Sequence, residues 1–213
     1  AIIFDETYYV KDSLALLNFG HERKVIENAD AVLLASGGEN YQSIFTEAAS
    51  YVVHPPIGKW IIASGESIFG ATPFGWRISI AILGILSVLL TARIARRLTN
   101  SNFIGTVAGL LLALDGLHIA MSRTALLDTS LSFFVLAAFG FLIIDRDIAN
   151  SGGPKIWRWA MVIALGLACG TKWSGVYFAA AFGLLMLVWD YARRRNALES
   201  VKVWGHWIQK EEI

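Results

Sequence analysis

The sequence predicts an all-α, polytopic membrane protein from its composition, its long apolar runs and the placement of its basic residues. Of the 213 residues, 55% are hydrophobic and 16% are charged, whereas a soluble domain carries about 25% charged residues. The apolar residues occur in runs long enough for membrane-spanning helices. Most Lys and Arg residues lie between alternate runs, as expected when those joints face the cytoplasm. The formal net charge of +1 gives no indication of nucleic-acid binding.

Five apolar runs predict about five transmembrane helices within residues 77–192. A helix crosses a bilayer core of about 30 Å with about 20 residues. The last two runs are shorter and flank the segment GTKWSG, so they form either two short spans or spans extended by their flanking turns. The runs comprise residues 78–98, 103–121, 125–144, 157–170 and 175–189.

The basic residues predict how these helices are oriented. Nine Lys or Arg residues follow the first, third and fifth runs, whereas Arg123 and Lys172 lie at the opposite joints. The positive-inside rule places the nine in the cytoplasm. Residues 1–76 are then an extracytoplasmic loop, and residues 193–213 are a cytoplasmic, basic and amphipathic segment. The nine, of which the first three are interpreted as topology determinants only, are Arg93, Arg96, Arg97, Arg146, Lys155, Arg158, Arg193, Arg194 and Arg195.

The extracytoplasmic loop is predicted to hold three helices and one short extended segment. Residues 5–20 have helical spacing of apolar side chains, and Gly20 is suited to end that helix. Two further amphipathic helices are predicted for residues 40–56 and 58–70, and they would lie in the headgroup zone of the membrane. The intervening residues 22–40 predict a short strand or a turn.

Ionisable residues from separate segments converge on the extracytoplasmic side. Such residues within or beside a span are costly and therefore indicate a functional site. Arg123 and Lys172 are cations suited to hold a phosphate, and a carboxylate facing the same pocket can act as a general base. A phosphate at the membrane surface, with its lipid tail between helices, indicates sugar transfer from a polyprenyl-phosphate donor. The residues concerned are Asp5, Glu6, His54, Lys59, Arg77, Asp115, His118, Arg123, Asp128 and Lys172.

Each of these residues also has a structural interpretation. An acidic pair at a helix start also serves as a cap, and cations at span edges commonly extend to the lipid headgroups. Asp115 and Asp128 also suit structural pairs with Arg123 or His118, and His54 suits a loop histidine. No His or Cys cluster has zinc spacing. The sequence therefore predicts no definite cofactor, although a divalent metal held by carboxylates stays open.

Four segments occur in order between residues 4 and 189: FDETYYVKD, HPPIGKWIIASGESIFGATPFGWR, LDGLHIAMSRTALLD and GLACGTKWSGVYF. They resemble the protein O-mannosyltransferases, which use dolichyl- or polyprenyl-phosphate-mannose and belong to the GT-C glycosyltransferase class. Within the second segment, Ser67, Ala71 and Thr72 lie outside the resemblance. Four motifs in the same order are far more specific than the acidic pair alone.

The resemblance implies roles for individual residues. Asp5 matches the acid that activates the acceptor Ser or Thr hydroxyl, and Glu6 matches its partner near the donor phosphate. Arg123 and Lys172 match residues that bind this phosphate, and residues 54–59 match a loop segment that packs beneath the active site. The remaining ionisable residues, which are expected to support the site, are His54, Lys59, Asp115, His118 and Asp128.

The resemblance also implies a GT-C helical bundle that transfers mannose, with inversion, to Ser or Thr hydroxyls of secreted or membrane proteins. The compact first loop resembles actinobacterial-type members, which implies a polyprenyl-phosphate-mannose donor and the bacterial plasma membrane, with the ER membrane as the alternative. Membrane lipids and a secretion translocon are further expected partners. The chain begins without Met and ends abruptly, which predicts a piece of a longer protein. Two other functions stay open, namely a GT-C transferase acting on a lipid or cell-wall glycan and a transporter or channel segment.

Overall fold

A computed structural model describes residues 2–150 and 155–211 of the chain, with side chains described for 2–149 and 155–195. Over these residues the fold is helical apart from one small antiparallel sheet, so the predicted all-α class is confirmed. The elements in chain order are α1 (Glu6–Phe19), β1 (Arg23–Val25), α2 (Ala29–Ala35), β2 (Phe45–Ala49), α3 (Ile57–Phe69), α4 (Pro73–Thr99), α5 (Asn102–Leu114), α6 (Gly116–Ser122), α7 (Leu127–Asn150), α8 (Ile156–Cys169) and α9 (Gly175–Glu211).

Three helices in the described part of the chain are long and apolar enough to cross a membrane, which confirms a polytopic protein. They are α4, residues Leu127–Ala149 of α7 and residues Gly175–Arg195 of α9. Helices α5 and α6 qualify together as one span bent by 64°. Helix α8 is apolar but has 14 residues, which is about 21 Å of helix. The predicted boundaries at residues 76 and 193 fall inside α4 and α9, and the last two residues of the segment 193–213 lie outside the described part.

The predicted continuous helix over residues 103–121 is wrong at one point, because the helix is interrupted at Asp115. This residue has extended backbone angles, φ −65° and ψ 121°. Its carboxylate accepts a hydrogen bond from the His118 N–H at 2.7 Å and so caps α6. An Asp side chain that bonds a nearby backbone N–H competes with helix propagation, which explains why α5 ends here.

The loop before the first span follows its prediction in two helices and departs from it in one. Helix α1 ends at Gly20, which is left-handed with φ 75°, and α3 also forms as predicted. The predicted helix over residues 40–56 is wrong, because Phe45–Ala49 instead pairs with Arg23–Val25 as an antiparallel ladder. Aromatic and β-branched side chains such as Phe45 and Thr46 favour a strand, and β1 supplies the partner. The predicted strand or turn over residues 22–40 is correct for β1, whereas Ala29–Ala35 forms α2.

Helix α3 joins the loop to the outer end of the bundle, where α4 and α7 begin. Val10 and Leu14 of α1, Ile62 of α3, and Trp76 and Leu127 at the starts of α4 and α7 form one buried core. The Ile57 N–H donates to the Gly170 carbonyl oxygen at 2.9 Å, which fixes the start of α3 against the joint between α8 and α9. The loop is therefore packed onto the ends of the helices rather than separate from them.

Substituting Gly65 by Ala is expected to destabilise the contact between α3 and α4. A Cβ atom at Gly65 would lie 2.3 Å from the Gly75 carbonyl oxygen, and overpacking of this kind lowers stability by about 1–3 kcal/mol. The measurement is the free energy of unfolding in a detergent titration. Gly166→Ala is the matched control, because nothing lies within 4 Å of a Cβ atom there. Equal losses in the two variants would contradict the packing described here.

The opposite, inner end of the bundle carries a network of ion pairs. Arg97 contacts Asp147 at 2.8 Å, so its interpretation as a topology determinant only is incomplete. Arg158 contacts both Asp145 and Asp190 at 2.9 Å and thereby joins α7, α8 and α9. These acids neutralise cations from which the sequence predicts the orientation of the chain, and the positive-inside count gives no signal of this second role.

Candidate active site

The adjacent carboxylates of Asp5 and Glu6 occupy opposite environments. Glu6 is fully buried, and its Oε1 atom accepts hydrogen bonds from Arg77 Nε at 2.7 Å and from the Ala125 N–H at 3.0 Å. Asp5 is half-buried, and its carboxylate has no hydrogen-bond partner among the described residues. One acid is therefore committed to protein contacts, while its neighbour is free to meet a ligand.

Glu6 ties together three parts of the fold. It links the start of α1 to Arg77 in α4 and to the backbone just before α7. Burial alone would raise the pKa of Glu6, but hydrogen bonds from Arg77 and the Ala125 N–H, together with the charge of Arg77, outweigh it. The pKa of Glu6 therefore lies below its ordinary value, and the side chain is an ionised clamp at neutral pH.

The same carboxylate shapes the turn that presents Asp5. Glu6 Oε2 accepts from the Ile3 N–H at 3.0 Å, and the Glu6 N–H donates to the Ile3 carbonyl oxygen at 3.1 Å. Phe4, inside this turn, has φ 54°, a left-handed conformation that is unfavourable for a bulky residue. Such conformations persist where surrounding contacts impose them and are frequent at functional sites. Glu6 thus acts as a positioning residue for Asp5.

Four further side chains are linked to Asp5 by their charges or contacts, since the charge of Asp5 acts on Tyr9 and His54. Lys172 Nζ lies 2.7 Å from Asp128 Oδ1, which joins the hinge between α8 and α9 to the first turn of α7. The rings of Tyr9 and His54 lie 6.2 Å apart. Burial, followed by the negative charges of Asp5 and Asp128, raises the pKa of Tyr9 to about 12, so this residue remains a neutral phenol. Asp128 pairs with Lys172, and the alternative pairing with Arg123 or His118 is wrong.

His54 is a neutral member of this group. Burial lowers its pKa, and the positive charges of Lys172 and Lys59 lower it further. Its Nδ1 atom is buried and has no hydrogen-bond partner among the described residues. We call Asp5, Tyr9, His54, Asp128 and Lys172 the outer cluster.

Arg123 lines a hollow to which Lys172 does not contribute. It is exposed and lines a cavity of about 350 Å³ together with Arg77 and Phe74 at the start of α4. The side chain follows α6 and precedes Ala125, whose N–H binds Glu6. Both cations therefore lie near the start of α7, Arg123 through its position in the chain and Lys172 through its ion pair with Asp128.

Lys59 has a structural environment. Its side chain is 1% exposed and lies 2.9 Å from Asp12 and 3.0 Å from Glu22. These contacts hold α3 against α1 and against the residue that precedes β1. A lysine enclosed by two carboxylates supports the site through the fold and offers no charge to a phosphate.

Asp115, His118 and Asp128 share a large apolar cavity of about 730 Å³ between α4, α6, α7 and α9. The His118 Nε2 atom lies 3.2 Å from the Gly84 carbonyl oxygen, and Asp115 caps α6 through the backbone N–H of His118. Aromatic side chains, including Phe139 and Phe182, line the far wall. The cavity is thus polar at the outer end and apolar along its length.

Sequence reasoning missed two contributors to this site. Arg77 was placed on the outer side, but its pairing with Glu6 spans 71 residues of sequence and no local pattern indicates it. For Tyr9, the sequence predicts only a position on an apolar helix face.

Among the described residues, no group of three or more His, Cys, Asp or Glu side chains is arranged to hold a metal ion.

Comparison with known proteins identifies the family. A family model described as dolichyl-phosphate-mannose-protein mannosyltransferase matches residues 42–210. The chain belongs to this family. Its relatives include the polyprenol-phosphate-mannose–protein mannosyltransferases of Mycobacterium tuberculosis, 48% identical over 164 residues, and of Corynebacterium glutamicum, 39% identical over 164 residues.

These mannosyltransferases are longer than the present chain. The matches cover 68% of this chain and 31% or 32% of each relative, so the chain spans about a third of their length. An undecaprenyl phosphate-alpha-4-amino-4-deoxy-L-arabinose arabinosyl transferase of Pseudomonas aeruginosa is 34% identical over 149 residues, which cover 70% of this chain and 26% of that protein. No solved structure matches.

Proposed function

We propose that the full-length protein transfers mannose from polyprenyl-phosphate-mannose to Ser or Thr hydroxyls of proteins on the extracytoplasmic side of a bacterial plasma membrane. The observation that carries the proposal is the unengaged Asp5 carboxylate, whose charge acts on Tyr9 and His54 together with the charges of Asp128 and Lys172. Family membership supports the donor and the acceptor class, because the relatives' names specify both. The arabinosyl transferase relative is less similar, so transfer to a lipid or glycan is not favoured.

Asp5 is the proposed general base. The acceptor hydroxyl gives its proton to the Asp5 carboxylate while its oxygen attacks the anomeric carbon of mannose. The bond between that carbon and the phosphate oxygen breaks, and attack from the face opposite the phosphate inverts the anomeric centre. Tyr9 and neutral His54, whose pKa values respond to the charge of this carboxylate, can hydrogen-bond sugar hydroxyls. No step requires a metal ligand from the residues described.

Lys172 and Arg123 are proposed to hold the donor phosphate. Charge develops on the leaving polyprenyl phosphate, and fixed cations stabilise it in the transition state. Asp128 holds the Lys172 ammonium in place at 2.7 Å. Lys172 does not line the hollow of Arg123, so this proposal requires the donor phosphate to lie at the start of α7, between the two cations.

The large apolar cavity is the proposed site for the polyprenyl chain near the phosphate. Its volume of about 730 Å³ is within the usual range for ligand pockets, about 300–1,000 Å³. Asp115 and His118 support its outer rim through the cap of α6 and the contact with Gly84. A site at the extracytoplasmic surface of the membrane would also contact the surrounding lipids and proteins that leave a secretion translocon, and both are proposed partners.

Substituting Lys172 by Met is expected to raise the KM for the lipid donor. Hydrogen bonds to charged groups contribute about 1.5–3 kcal/mol, which corresponds to a tenfold to hundredfold weaker interaction, at about 1.4 kcal/mol per factor of ten. The assay measures mannose transfer from polyprenyl-phosphate-mannose to a Ser/Thr peptide by the full-length protein in vesicles. Arg123→Met is expected to act in the same direction.

Lys24→Met provides the matched control, because Lys24 is an exposed lysine of β1 in the same loop. It is expected to leave the donor KM unchanged. If the donor KM is unchanged in both Lys172→Met and Arg123→Met, these residues do not bind the donor phosphate. Transfer to a lipid or glycan, with none to the peptide, would overturn the proposed function itself.

A further inference from the structure

Glu66 is a second buried acid, and its environment differs from that of Glu6. It lies on α3, is 3% exposed and faces Ser13 of α1, whose hydroxyl is fully buried. Its Oε1 atom is buried without a hydrogen-bond partner among the described residues. No cation of the described residues lies within ion-pair distance of it. A buried carboxylate without a partner for its charge is strongly disfavoured.

The contacts of Ser13 indicate where a proton lies. Ser13 Oγ is 2.8 Å from Glu66 Oε2 and also 2.8 Å from the Val10 carbonyl oxygen. A serine hydroxyl has one hydrogen to donate and two lone pairs to accept with. The Val10 carbonyl oxygen can only accept, and an ionised Glu66 can also only accept, so the single serine hydrogen cannot serve both contacts if Glu66 is ionised. Both contacts are hydrogen bonds if Glu66 is protonated and donates to Ser13.

Charged groups on the neighbouring elements are already paired with other residues. This holds for α1, for α3 itself, and for the starts of α4 and α7. Two tyrosines complete the titratable groups of α1: Tyr8 is exposed, and Tyr9 packs near His54. The pairs are Lys11 with Asp30, Asp12 with Lys59, Lys59 with Glu22, Glu6 with Arg77, and Asp128 with Lys172.

We propose that Glu66 is a neutral carboxylic acid in the folded protein and that its O–H···Ser13 hydrogen bond positions α1 against α3. Burial raises the pKa of Glu66 to about 8, in agreement with the contact geometry. Because α1 begins at Glu6, directly after Asp5, the bond acts on the proposed catalytic base through the helix. This consequence for catalysis rests on the proposed function, whereas the protonation of Glu66 does not.

The pH dependence follows from the direction of the pKa shift. The unfolded chain loses the Glu66 proton near the ordinary value of 4.5 and the folded chain near 8. The contribution of Glu66 to the stability of the wild type is therefore largest below about pH 4.5. It falls as the pH rises from there towards about 8, and it changes little above that pH. Glu66→Gln removes this dependence, because its neutral amide can donate to Ser13 at every pH.

The experiment compares the full-length wild type with Glu66→Gln and with Glu47→Gln, an exposed glutamate of β2. Hydrogen–deuterium exchange of the α1 amides is measured in detergent from about pH 5 to about pH 9. The wild-type exchange rate is expected to rise at least about tenfold relative to Glu66→Gln over this range, which is the effect of about one pKa unit. Glu47→Gln should follow the wild type throughout.

Infrared difference spectra provide a direct readout of the proton. The carbonyl stretch of a protonated carboxylic acid is expected in the wild type at neutral pH and should be missing from Glu66→Gln. The proposal is overturned if the ratio of wild-type to Glu66→Gln exchange rates is the same at all pH values, or if the carbonyl band is not found in the wild type. Failure of Glu66→Gln to fold also overturns it. If the exchange and infrared results appear but no mannose transfer is found, the proposed function fails and the neutral Glu66 stands.

Discussion

Asp5→Asn is expected to reduce mannose transfer by the full-length protein by about 10²–10⁴-fold, the usual contribution of a positioned general base. The Asn amide cannot accept the hydroxyl proton, although it has nearly the same shape. The loss should appear mainly in kcat, because Asp5 contacts the reacting hydroxyl and is not part of the proposed phosphate site. The measurement is steady-state transfer to a Ser/Thr peptide at saturating donor.

Folding should survive this change, since the Asp5 carboxylate makes no hydrogen bond among the described residues. The control is Glu27→Gln, which neutralises an exposed acid of the same loop and should leave transfer unchanged. Asp5→Asn with full activity would exclude Asp5 as the base. In that case Asp128, the other carboxylate of the outer cluster, becomes the group to test.

Glu6→Gln is expected to lower the free energy of unfolding by about 3 kcal/mol, since removing one partner of a buried ion pair leaves the other uncompensated. We expect the lower end of the range known for such pairs, because the Arg77 side chain is 25% exposed. Arg77→Met should have a similar effect by leaving the Glu6 carboxylate buried alone. A titration from mild detergent into a denaturing one measures the loss.

A double-mutant cycle isolates the interaction. The double variant Glu6→Gln/Arg77→Met is expected to lose less stability than the sum of the two single variants, because neither charge is then stranded. Arg97→Met is the matched control, because its pair with Asp147 is more exposed. Exposed pairs contribute about 0–1 kcal/mol, so this variant should lose little stability. Additive effects of Glu6 and Arg77 would contradict the clamp.

The two buried acids should also respond to pH in opposite directions. Glu6 has a lowered pKa, so its stabilising contribution is present above the ordinary value of 4.5 and is lost as the pH falls through the lowered value. Glu66 has a raised pKa and weakens the fold as the pH rises. Together they favour an intermediate pH for the packing of α1, which carries the proposed base.

The sequence alone determined the class of this protein and the identity of its candidate residues. Long apolar runs leave no other favourable fold for backbone groups in lipid, so the helical membrane architecture followed from composition. The four ordered motifs predicted the mannosyltransferase family, which the family match confirms. Local signals also predicted α1, α3 and the end of α1 at Gly20, because propensity and capping act over neighbouring residues.

Only the tertiary structure showed which of the candidate charges are engaged by contacts within the fold. The resemblance gave Asp5 and Glu6 different roles, but no local pattern shows that Arg77 and Ala125, distant in the chain, bury one and leave the other available. Lys59 and Lys172 likewise differ in burial and in the acids that surround them. The strand at Phe45–Ala49 needed its partner β1. Burial and pairing depend on residues far apart in the chain, and these contacts decide whether a charge is structural or free to react.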